Sequence, residues 1–171
     1  VRYGTNPNEL DQSAASGGSD TDHAVTISGL SPNAKYYYAV GTSAADLVSG
    51  ADYHFITAPS VGSAKATRIW VLGDSGYANA DAANVRDRMM DEVSSSGNDI
   101  DLWLMLCDNA YDDGTDAEYQ NAVFNMHQTL LRNRPLWPTI GNHDVKSASS
   151  SSQSGVYYDI FSLPKNGEVG G

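Results

Sequence analysis

Three short polar clusters, each directly after an apolar run, hold the side chains of this sequence that are best suited to chemistry. They read GDSGY at 73–77, CDNAY at 107–111 and GNHD at 141–144. Together they offer carboxylates, phenols, amide oxygens and an imidazole, a mixed oxygen and nitrogen donor set that suits iron, manganese or zinc. The single cysteine, Cys107, excludes an internal disulfide and a zinc site built from cysteines. The clusters therefore indicate metal-dependent chemistry, provided that the fold brings them together.

The apolar runs before the clusters are predicted to be β-strands, and the segments between them are predicted to be helices. The strands read RIWVLG, LWLMLC and LWPTIG. A first helix is predicted over about 81–93, where apolar residues recur on one face. A second helix is predicted to begin at Thr115 and Glu118, which have the spacing of a capping box, and to end before Pro135. Alternating strands and helices with short connections predict a parallel β-α-β-α-β unit.

In a parallel α/β sheet the carboxyl ends of the strands share one edge, and ligands bind in the crevice there. The side chains expected to meet at this edge are Asp74, Asp108, Tyr111, Asn142 and His143. Asp108 belongs to the middle cluster, so it is the candidate to bridge two metal ions, which in two-metal hydrolases lie about 3.5–4 Å apart. Gly73 and Gly141 are expected to let the backbone turn sharply beside the ions.

The rest of the chain is predicted to form an all-β module, a linker and a loop. Residues 1–58 consist of short apolar or aromatic runs, VRYGT, HAVTISGL, AKYYYAVGT and DYHFITA, separated by turn residues. The period of two within YYYAV predicts an antiparallel β-module. Residues 59–67 have no periodicity and are predicted to be a linker to the second domain, residues 68–171. The serine-rich segment 145–155 is predicted to be a flexible loop.

The bulk composition limits the possible functions. The 171 residues, 40% hydrophobic and 18% charged, are typical of a globular protein with one domain or two small ones. Ten basic residues against 21 acidic ones give a formal net charge of −11, which argues against nucleic-acid binding and favours cations as ligands. No run approaches the roughly 20 apolar residues of a membrane span, so no membrane partner is expected.

The ordered clusters GDSG, DNAY and GNHD resemble the first three signature blocks of the calcineurin-like metallophosphoesterases. The tyrosine three residues after the second aspartate is similar to the pattern of the purple acid phosphatases. VRYGT, HAVTISGLSPNAKYYYAVGT and FITAP are similar to the fibronectin type III-like module that precedes the catalytic domain in many of those enzymes. The resemblance spans nearly the whole chain. It implies a partial metallophosphoesterase domain after a partial fibronectin type III-like module, in a secreted or extracytoplasmic protein.

The resemblance also implies a role for each candidate residue. Asp74 and Tyr111 are expected to ligate a ferric ion, and Asp108 to bridge it to a second, divalent ion of iron, zinc or manganese. Asn142 is expected to bind that second ion. His143 is expected to lie beside the substrate phosphate, where it stabilises the transition state or protonates the leaving alkoxide. The implied activity is that of an acid phosphatase, in which a metal-bound hydroxide attacks a small-molecule phosphomonoester.

The sequence departs from the family pattern in two ways. Cys107 stands where the family usually has glycine, and its Cβ is expected to crowd the metal edge. The later blocks, which bring three histidine ligands, are absent, so four of the seven ligand residues are expected in this chain. His23 and His54 fall in the β-module, and His127 is predicted to be a surface or boundary histidine on a helix. The opening VRYGT has the pattern of a mid-strand and the closing NGEVGG that of a mid-loop, so a fragment truncated at both ends is expected.

Two alternatives compete with the phosphatase prediction. GDS after a strand is compatible with a serine hydrolase that uses Ser75 as its nucleophile, but this reading leaves Tyr111 and Asn142 unexplained. A non-catalytic adhesion or spacer module is the other alternative, since a fold alone does not determine a function. Loss of activity on replacing Ser75 with alanine would favour the first, and absence of bound metal would favour the second.

Overall fold

A computed structural model describes residues 1–18 and 23–163 of the chain. It divides into two compact units, the first comprising residues 1–66 with 132–134 and the second comprising residues 67–131 with 135–171. The last eight residues of the second predicted domain, 164–171, lie outside the described residues. In the part of the chain that is described, no helix has both the length and the hydropathy needed to cross a bilayer.

The first unit is built around one antiparallel sheet. Its strands are β1 (Arg2–Gly4), β2 (Gln12–Ser13), β3 (Lys35–Gly41), β4 (Asp46–Val48) and β5 (His54–Ile56). β3 is central and pairs with β1, β4 and β5, while β2 pairs with β1. The run HAVTISGL at 23–30, which resembles a strand in sequence, forms no strand in the structure.

Packing on β3 differs from simple alternation. Its two buried residues are Tyr36 and Ala39, which lie an odd number of positions apart and therefore on opposite faces of the strand. Tyr36 stacks against Phe55, with 5.8 Å between the ring centroids, and its hydroxyl accepts a hydrogen bond from the Ser31 backbone amide. Both faces of β3 are thus partly covered, which a period of two does not predict.

The second unit contains the three-stranded parallel sheet. Its strands are β6 (Ile69–Gly73), β7 (Leu102–Leu106) and β8 (Leu136–Thr139), in the order β6-β7-β8. Both pairings are parallel, so the three strands end at the same edge of the sheet. β7 is central, and its Trp103 and Met105 are fully buried.

The connection from β6 to β7 is the helix α1 (Ala80–Ser96). It begins after Asn79, whose side chain accepts a hydrogen bond from the Ala82 amide at 3.0 Å. It ends at Gly97, whose positive φ of 64° is the conformation that glycine adopts most readily.

The connection from β7 to β8 is broken into three pieces, whereas the sequence predicts one continuous helix. α2 (Asp116–Tyr119) begins with the predicted capping box of Thr115 and Glu118. A π-helix follows over Gln120–Asn125, and then α3 (Gln128–Leu131). The Gln120 side chain donates to the Asn125 side-chain oxygen at 2.8 Å. This pair is five residues apart, so it matches the spacing of the π-helix and favours the wider turn.

The serine-rich segment is ordered, so the prediction of a flexible loop is wrong. A 3-10 helix at Asp144–Lys146 leads into a hairpin of β9 (Ala148–Ser149) and β10 (Ser154–Gly155), followed by α4 (Val156–Ile160). A Cβ at Gly155 would collide with the Ser147 carbonyl oxygen, so this glycine allows the two chain segments to approach each other. Tyr157 is buried in the core and anchors α4, because its hydroxyl donates to the Pro138 carbonyl at 3.0 Å.

His127 is buried, which corrects its prediction as a surface or boundary residue. It is 3% exposed and packs against Trp103 at 4.6 Å and Trp70 at 5.8 Å between ring centroids. Its Nδ1 has no hydrogen-bond partner among the described residues. Burial, with a smaller contribution from the positive charge of Arg86, lowers the pKa of His127 to about 4.

Acid should therefore destabilise the second unit through His127. An unfolded chain takes up a proton on this imidazole near pH 6.5, whereas the folded chain does so only near its lowered pKa of about 4. Stability is complete above the unfolded pKa and declines as the pH falls through this window, by on the order of 3 kcal/mol.

Urea unfolding at about pH 7 and about pH 4.5 tests this expectation. His127→Phe keeps an aromatic ring between the tryptophans but cannot take up a proton, so it should lose less stability than the parent between the two conditions. His23→Phe changes an exposed histidine and should keep the pH dependence of the parent. An equal decline in the parent and in His127→Phe would contradict the assignment.

Candidate functional site

A buried carboxylate, Asp144, ties together the loops that follow β7 and β8. It is fully buried and accepts hydrogen bonds from the Asn109 amide at 3.1 Å, the Asn109 side chain at 2.9 Å and the Gly141 amide at 2.8 Å. The Tyr119 hydroxyl donates to the same carboxylate at 2.6 Å. Burial and this carboxylate raise the pKa of Tyr119 far above its usual range, so the phenol remains a donor. These bonds hold both strand ends and α2 in one arrangement.

Tyr111 lies between the carboxylates of Asp74 and Asp108. Its hydroxyl oxygen is 3.1 Å from Asp74 Oδ1 and 3.0 Å from Asp108 Oδ2. Burial is the largest cause that raises the pKa of Tyr111 well above its usual range, and the hydrogen bonds to Asp108 and Asp74 raise this pKa further. The hydroxyl has one proton and can donate to only one carboxylate at a time. Two carboxylate oxygens and one phenol oxygen therefore converge around a single proton. A bound cation would offset the negative charge of these groups better than this one proton does.

The backbone at these strand ends adopts an uncommon conformation. Asp74, Cys107 and Asp108 have φ values of 52°, 69° and 49°. This left-handed region is unfavourable for residues other than glycine by about 1–2 kcal/mol each. The Asp74 amide donates to the Cys107 carbonyl at 3.3 Å, which joins the first two strand ends. The uncommon backbone thus directs the two carboxylates toward Tyr111.

Gly73 and Gly141 permit close approach rather than a sharp turn, which corrects the expected role. Neither has a positive φ. A Cβ on Gly73 would lie 2.6 Å from the Leu106 carbonyl oxygen, and a Cβ on Gly141 would collide with the amide and carboxylate of Asp108. Glycine at 141 is therefore required for the third strand end to reach the second.

His143 is held beside Tyr111 and Asp108. Its backbone amide donates to Asp108 Oδ1 at 2.9 Å, and its ring meets the Tyr111 ring edge-on at 4.4 Å between centroids. Its Nδ1 is 2.6 Å from the Asp112 carbonyl oxygen, which can only accept. The hydrogen therefore resides on Nδ1, and Nε2 is the ring nitrogen left to exchange a proton with a ligand.

Asn142 is exposed between Gly141 and His143 at the same edge. Within the described residues, no hydrogen bond joins its side chain to the other four candidates. The structure therefore brings Asp74, Asp108, Tyr111 and His143 into direct contact and leaves Asn142 beside them.

The sequence did not predict a role for three further residues of the site, which are Tyr77, Asn109 and Asp144. Tyr77 stacks on Tyr111 with 4.5 Å between ring centroids and an interplanar angle of 13°, and its hydroxyl donates to Asp112 at 3.0 Å. All three fall inside the quoted clusters. Their presence there is the one signal for them, because nothing local distinguishes a buried carboxylate from an exposed one.

The donor atoms of this cluster are mainly oxygens. Among the described residues, no three His, Cys, Asp or Glu side chains come together as a metal-binding group. The cluster instead consists of two carboxylates and a phenol oxygen. The His143 imidazole lies beside it, and the Asn142 amide is at the same edge of the sheet. These oxygens suit a hard cation, and the shared proton of Tyr111 marks the place where positive charge is lacking.

Ser75 does not resemble an activated nucleophile. Its hydroxyl is buried and has no hydrogen-bond partner among the described residues. A serine nucleophile requires a base in contact with its hydroxyl. The structure therefore gives the serine-hydrolase alternative no support.

This chain is similar in sequence to a plant purple acid phosphatase. The chain is 29% identical over 158 residues to purple acid phosphatase 21 of Arabidopsis thaliana. The aligned region covers 86% of this chain and 32% of that protein, so the chain spans about a third of the length of the curated relative that it matches. No protein-family model matches the chain, and no solved structure matches it. The similarity indicates a purple acid phosphatase-like relationship.

The conformation of Cys107 predicts that glycine is better at this position. Its φ of 69° disfavours any residue with a Cβ, and its side chain is exposed with one weak contact, Sγ to Thr139 Oγ1 at 3.7 Å. Cys107→Gly relieves the backbone, and part of that gain is offset by the greater freedom of glycine in the unfolded chain. We expect Cys107→Gly to be more stable than Cys107→Ala by about 1 kcal/mol in urea unfolding. The alanine variant is the matched control, because it loses the thiol but keeps the Cβ; equal stability of the two variants would contradict the strain.

Removing the charge of Asp144 should destabilise the whole edge. Asp144→Asn replaces one acceptor oxygen with a donor that faces other donors, so a loss of about 3 kcal/mol is expected in urea unfolding. Tyr119→Phe removes one donor and should lose about 1–2 kcal/mol. Asp113→Asn changes an exposed carboxylate paired with Lys146 and should lose less than about 1 kcal/mol. Similar losses in Asp144→Asn and Asp113→Asn would refute the organising role.

Proposed function

We propose that this chain carries part of the site of a metal-dependent phosphatase of the acid phosphatase type, which hydrolyses small-molecule phosphomonoesters. The observation that supports this most directly is the position of the Tyr111 hydroxyl, about equally distant from the carboxylates of Asp74 and Asp108 at the ends of two parallel strands. Phosphoryl transfer requires concentrated positive charge, and an acidic cluster supplies it by holding cations. The similarity to a plant purple acid phosphatase supports the same reaction class.

The proposed cofactor is a dinuclear centre of Fe(III) and a divalent ion of iron, zinc or manganese. Asp74 and Tyr111 would hold the ferric ion, Asp108 both ions and Asn142 the divalent ion. Asp108 has one carboxylate oxygen on Tyr111 and the other on the His143 amide, so its orientation is set from both sides. When bound, such ions act as Lewis acids that activate water and offset the charge of a phosphate group.

The protein residues would orient the ester and move its protons. The Nδ1–H of His143 is engaged by the Asp112 carbonyl, which fixes the ring and leaves Nε2 for the substrate. As an imidazolium, His143 would donate a hydrogen bond to a phosphate oxygen or a proton to the leaving alkoxide. Lys146 Nζ donates to the same Asp112 carbonyl at 2.8 Å, so it positions this loop rather than contacting the substrate.

The remaining assignments belong to the same proposal. Residues 1–58 would be a fibronectin type III-like module, with which the antiparallel sheet of the first unit is compatible. Residues 59–67 would be the linker, and residues 68–171 the first part of the phosphatase domain. The protein would act outside the cytoplasm, as the resemblance implies.

Metal binding by the Asp108 variant tests the proposal. In a protein that also carries the three later histidine ligands, Asp108→Asn removes the charge that serves both ions, so the variant should retain neither Fe(III) nor Zn(II) after dialysis, whereas its parent retains metal. Asp91→Asn, an exposed carboxylate on α1, is the control and should bind like the parent. Elemental analysis of the dialysed proteins provides the readout. An Asp108→Asn protein with the metal content of the parent would overturn the assignment.

Two further variants separate the roles within the site. Tyr111→Phe should retain divalent metal but lose the visible absorption of a ferric phenolate. In the same protein with all seven ligand residues, His143→Ala should keep the metal content of the parent and hydrolyse an aryl phosphate roughly 10²–10⁴-fold more slowly. A parent protein that has all seven ligand residues and retains no metal would favour the spacer alternative.

A further inference from the structure

A cavity beside Asp74 extends the candidate site toward α1. Its volume is about 260 Å³, and it lies in the second unit between β6, α1 and His127. The walls are mainly apolar, from Trp70 and Leu72 of β6 and from Ala82 and Val85 of α1. An engineered apolar cavity of about 150 Å³ holds a benzene molecule, so this cavity has room for a substituted aromatic ring.

The cavity and the acidic cluster share two residues. Asp74 lines the cavity and also contacts the Tyr111 hydroxyl. Tyr77 lines the cavity and also stacks on the Tyr111 ring, and its hydrogen bond to Asp112 holds it in place. A ligand in the cavity would therefore lie next to a metal ion or a phosphate held at the acidic cluster.

The charges of the cavity select against anions. Its lining contains the carboxylates of Asp74 and Asp81, and the described residues that line it include no lysine or arginine. His127 is neutral at ordinary pH, because burial lowers its pKa to about 4. An uncharged or positively charged group is thus compatible with the cavity, whereas an added negative charge would face two carboxylates without compensation.

Two polar atoms at the cavity lack partners. Ser75 and His127 both line it, and Ser75 Oγ and His127 Nδ1 are buried without a hydrogen bond among the described residues. Each unpaired buried polar atom is unfavourable by about 1–3 kcal/mol. Both atoms are covered by neighbouring atoms of the cavity wall, so a ligand would reach them only after a side chain moves.

We propose that this cavity binds the organic part of the phosphomonoester, and that this part is an aromatic group that is uncharged or positively charged. The inference rests on the proposed function and adds the substrate class. The phosphate would lie at the acidic cluster with its metal ions, and the aromatic group would pack among Trp70, Tyr77 and Val85. Esters whose alcohol part is polyanionic would be disfavoured by Asp81, whose charge no proposed metal ion offsets.

Binding of three phenols of similar size to the metal-free chain tests the cavity separately from metal binding and catalysis. The probes are 4-methylphenol, which is neutral, tyramine, which is cationic, and 4-hydroxyphenylacetate, which is anionic. For ligands this small, a dissociation constant on the order of 1 mM is expected, measured from the NMR shift of the Trp70 indole N–H. We expect the anionic probe to bind at least about tenfold more weakly than the other two.

A matched pair of variants locates the binding. Val85 lines the cavity and is 55% exposed, whereas Val71 is 49% exposed on the opposite face of β6 from Trp70 and Leu72 and does not line it. Val85→Phe should fill the cavity and weaken binding of 4-methylphenol and tyramine at least about tenfold, and Val71→Phe should change it less than about twofold. Because both positions are exposed, both variants should fold.

The proposal stands only if both the charge order and the difference between the variants are found. Absence of binding by every probe, equal binding of the anion, or equal effects of the two variants would overturn it. None of these results bears on the metal content of the parent and Asp108→Asn proteins, so a failed cavity leaves the phosphatase proposal intact. Conversely, probe binding in this pattern, together with absence of metal from a parent protein that has all seven ligand residues, would support the aromatic site and refute the phosphatase assignment.

Discussion

The buried carboxylate of Asp144 is the interaction on which the rest of the site depends. A fully buried carboxylate is unfavourable unless each of its oxygens is hydrogen-bonded, and here four donor groups from three segments satisfy it. Because none of these donors can move away without exposing an unpaired charge to an apolar interior, the segments are held in one register. A parallel sheet alone would place the strand ends at one edge without determining how their loops meet.

Close packing transmits this order to the residues that would contact a ligand. The loop that Asp144 holds also contains Gly141, where the absence of a Cβ lets Asp108 approach the third strand end. Asp108 then has both oxygens engaged, one by the His143 amide and one by Tyr111. The positive φ values of Asp74, Cys107 and Asp108 show that the strand ends give up local backbone stability to reach this geometry. Strain of this kind persists because the surrounding contacts stabilise the folded chain by more free energy than the strain costs.

The site has two chemically different sides that meet at Asp74 and Tyr77. On one side, carboxylate and phenol oxygens concentrate negative charge around a single proton. On the other side, β6 and α1 line an apolar cavity that is open to solvent. A phosphate ester also has two such parts, a charged group and an organic group, and this correspondence connects the proposed reaction with the proposed substrate class. The first unit, with its antiparallel sheet, contributes none of the residues named in either part.

The sequence by itself determined the features that depend on local pattern. Apolar runs and their alternation with helical segments were sufficient to predict the parallel strands β6, β7 and β8 and the start of α1. Asp74, Asp108, Tyr111 and His143 followed from their positions at the strand ends, since parallel strands necessarily share an edge.

Only the tertiary structure decided the features that depend on contacts distant in sequence. The serine-rich segment forms a hairpin because Gly155 approaches Ser147, and His127 is buried because Trp70 and Trp103 cover it, neither of which a local pattern encodes. The sequence around Asp144 does not distinguish it from an exposed aspartate. Its role arises because hydrogen-bond donors from residues 109, 119 and 141 reach its carboxylate in the folded chain.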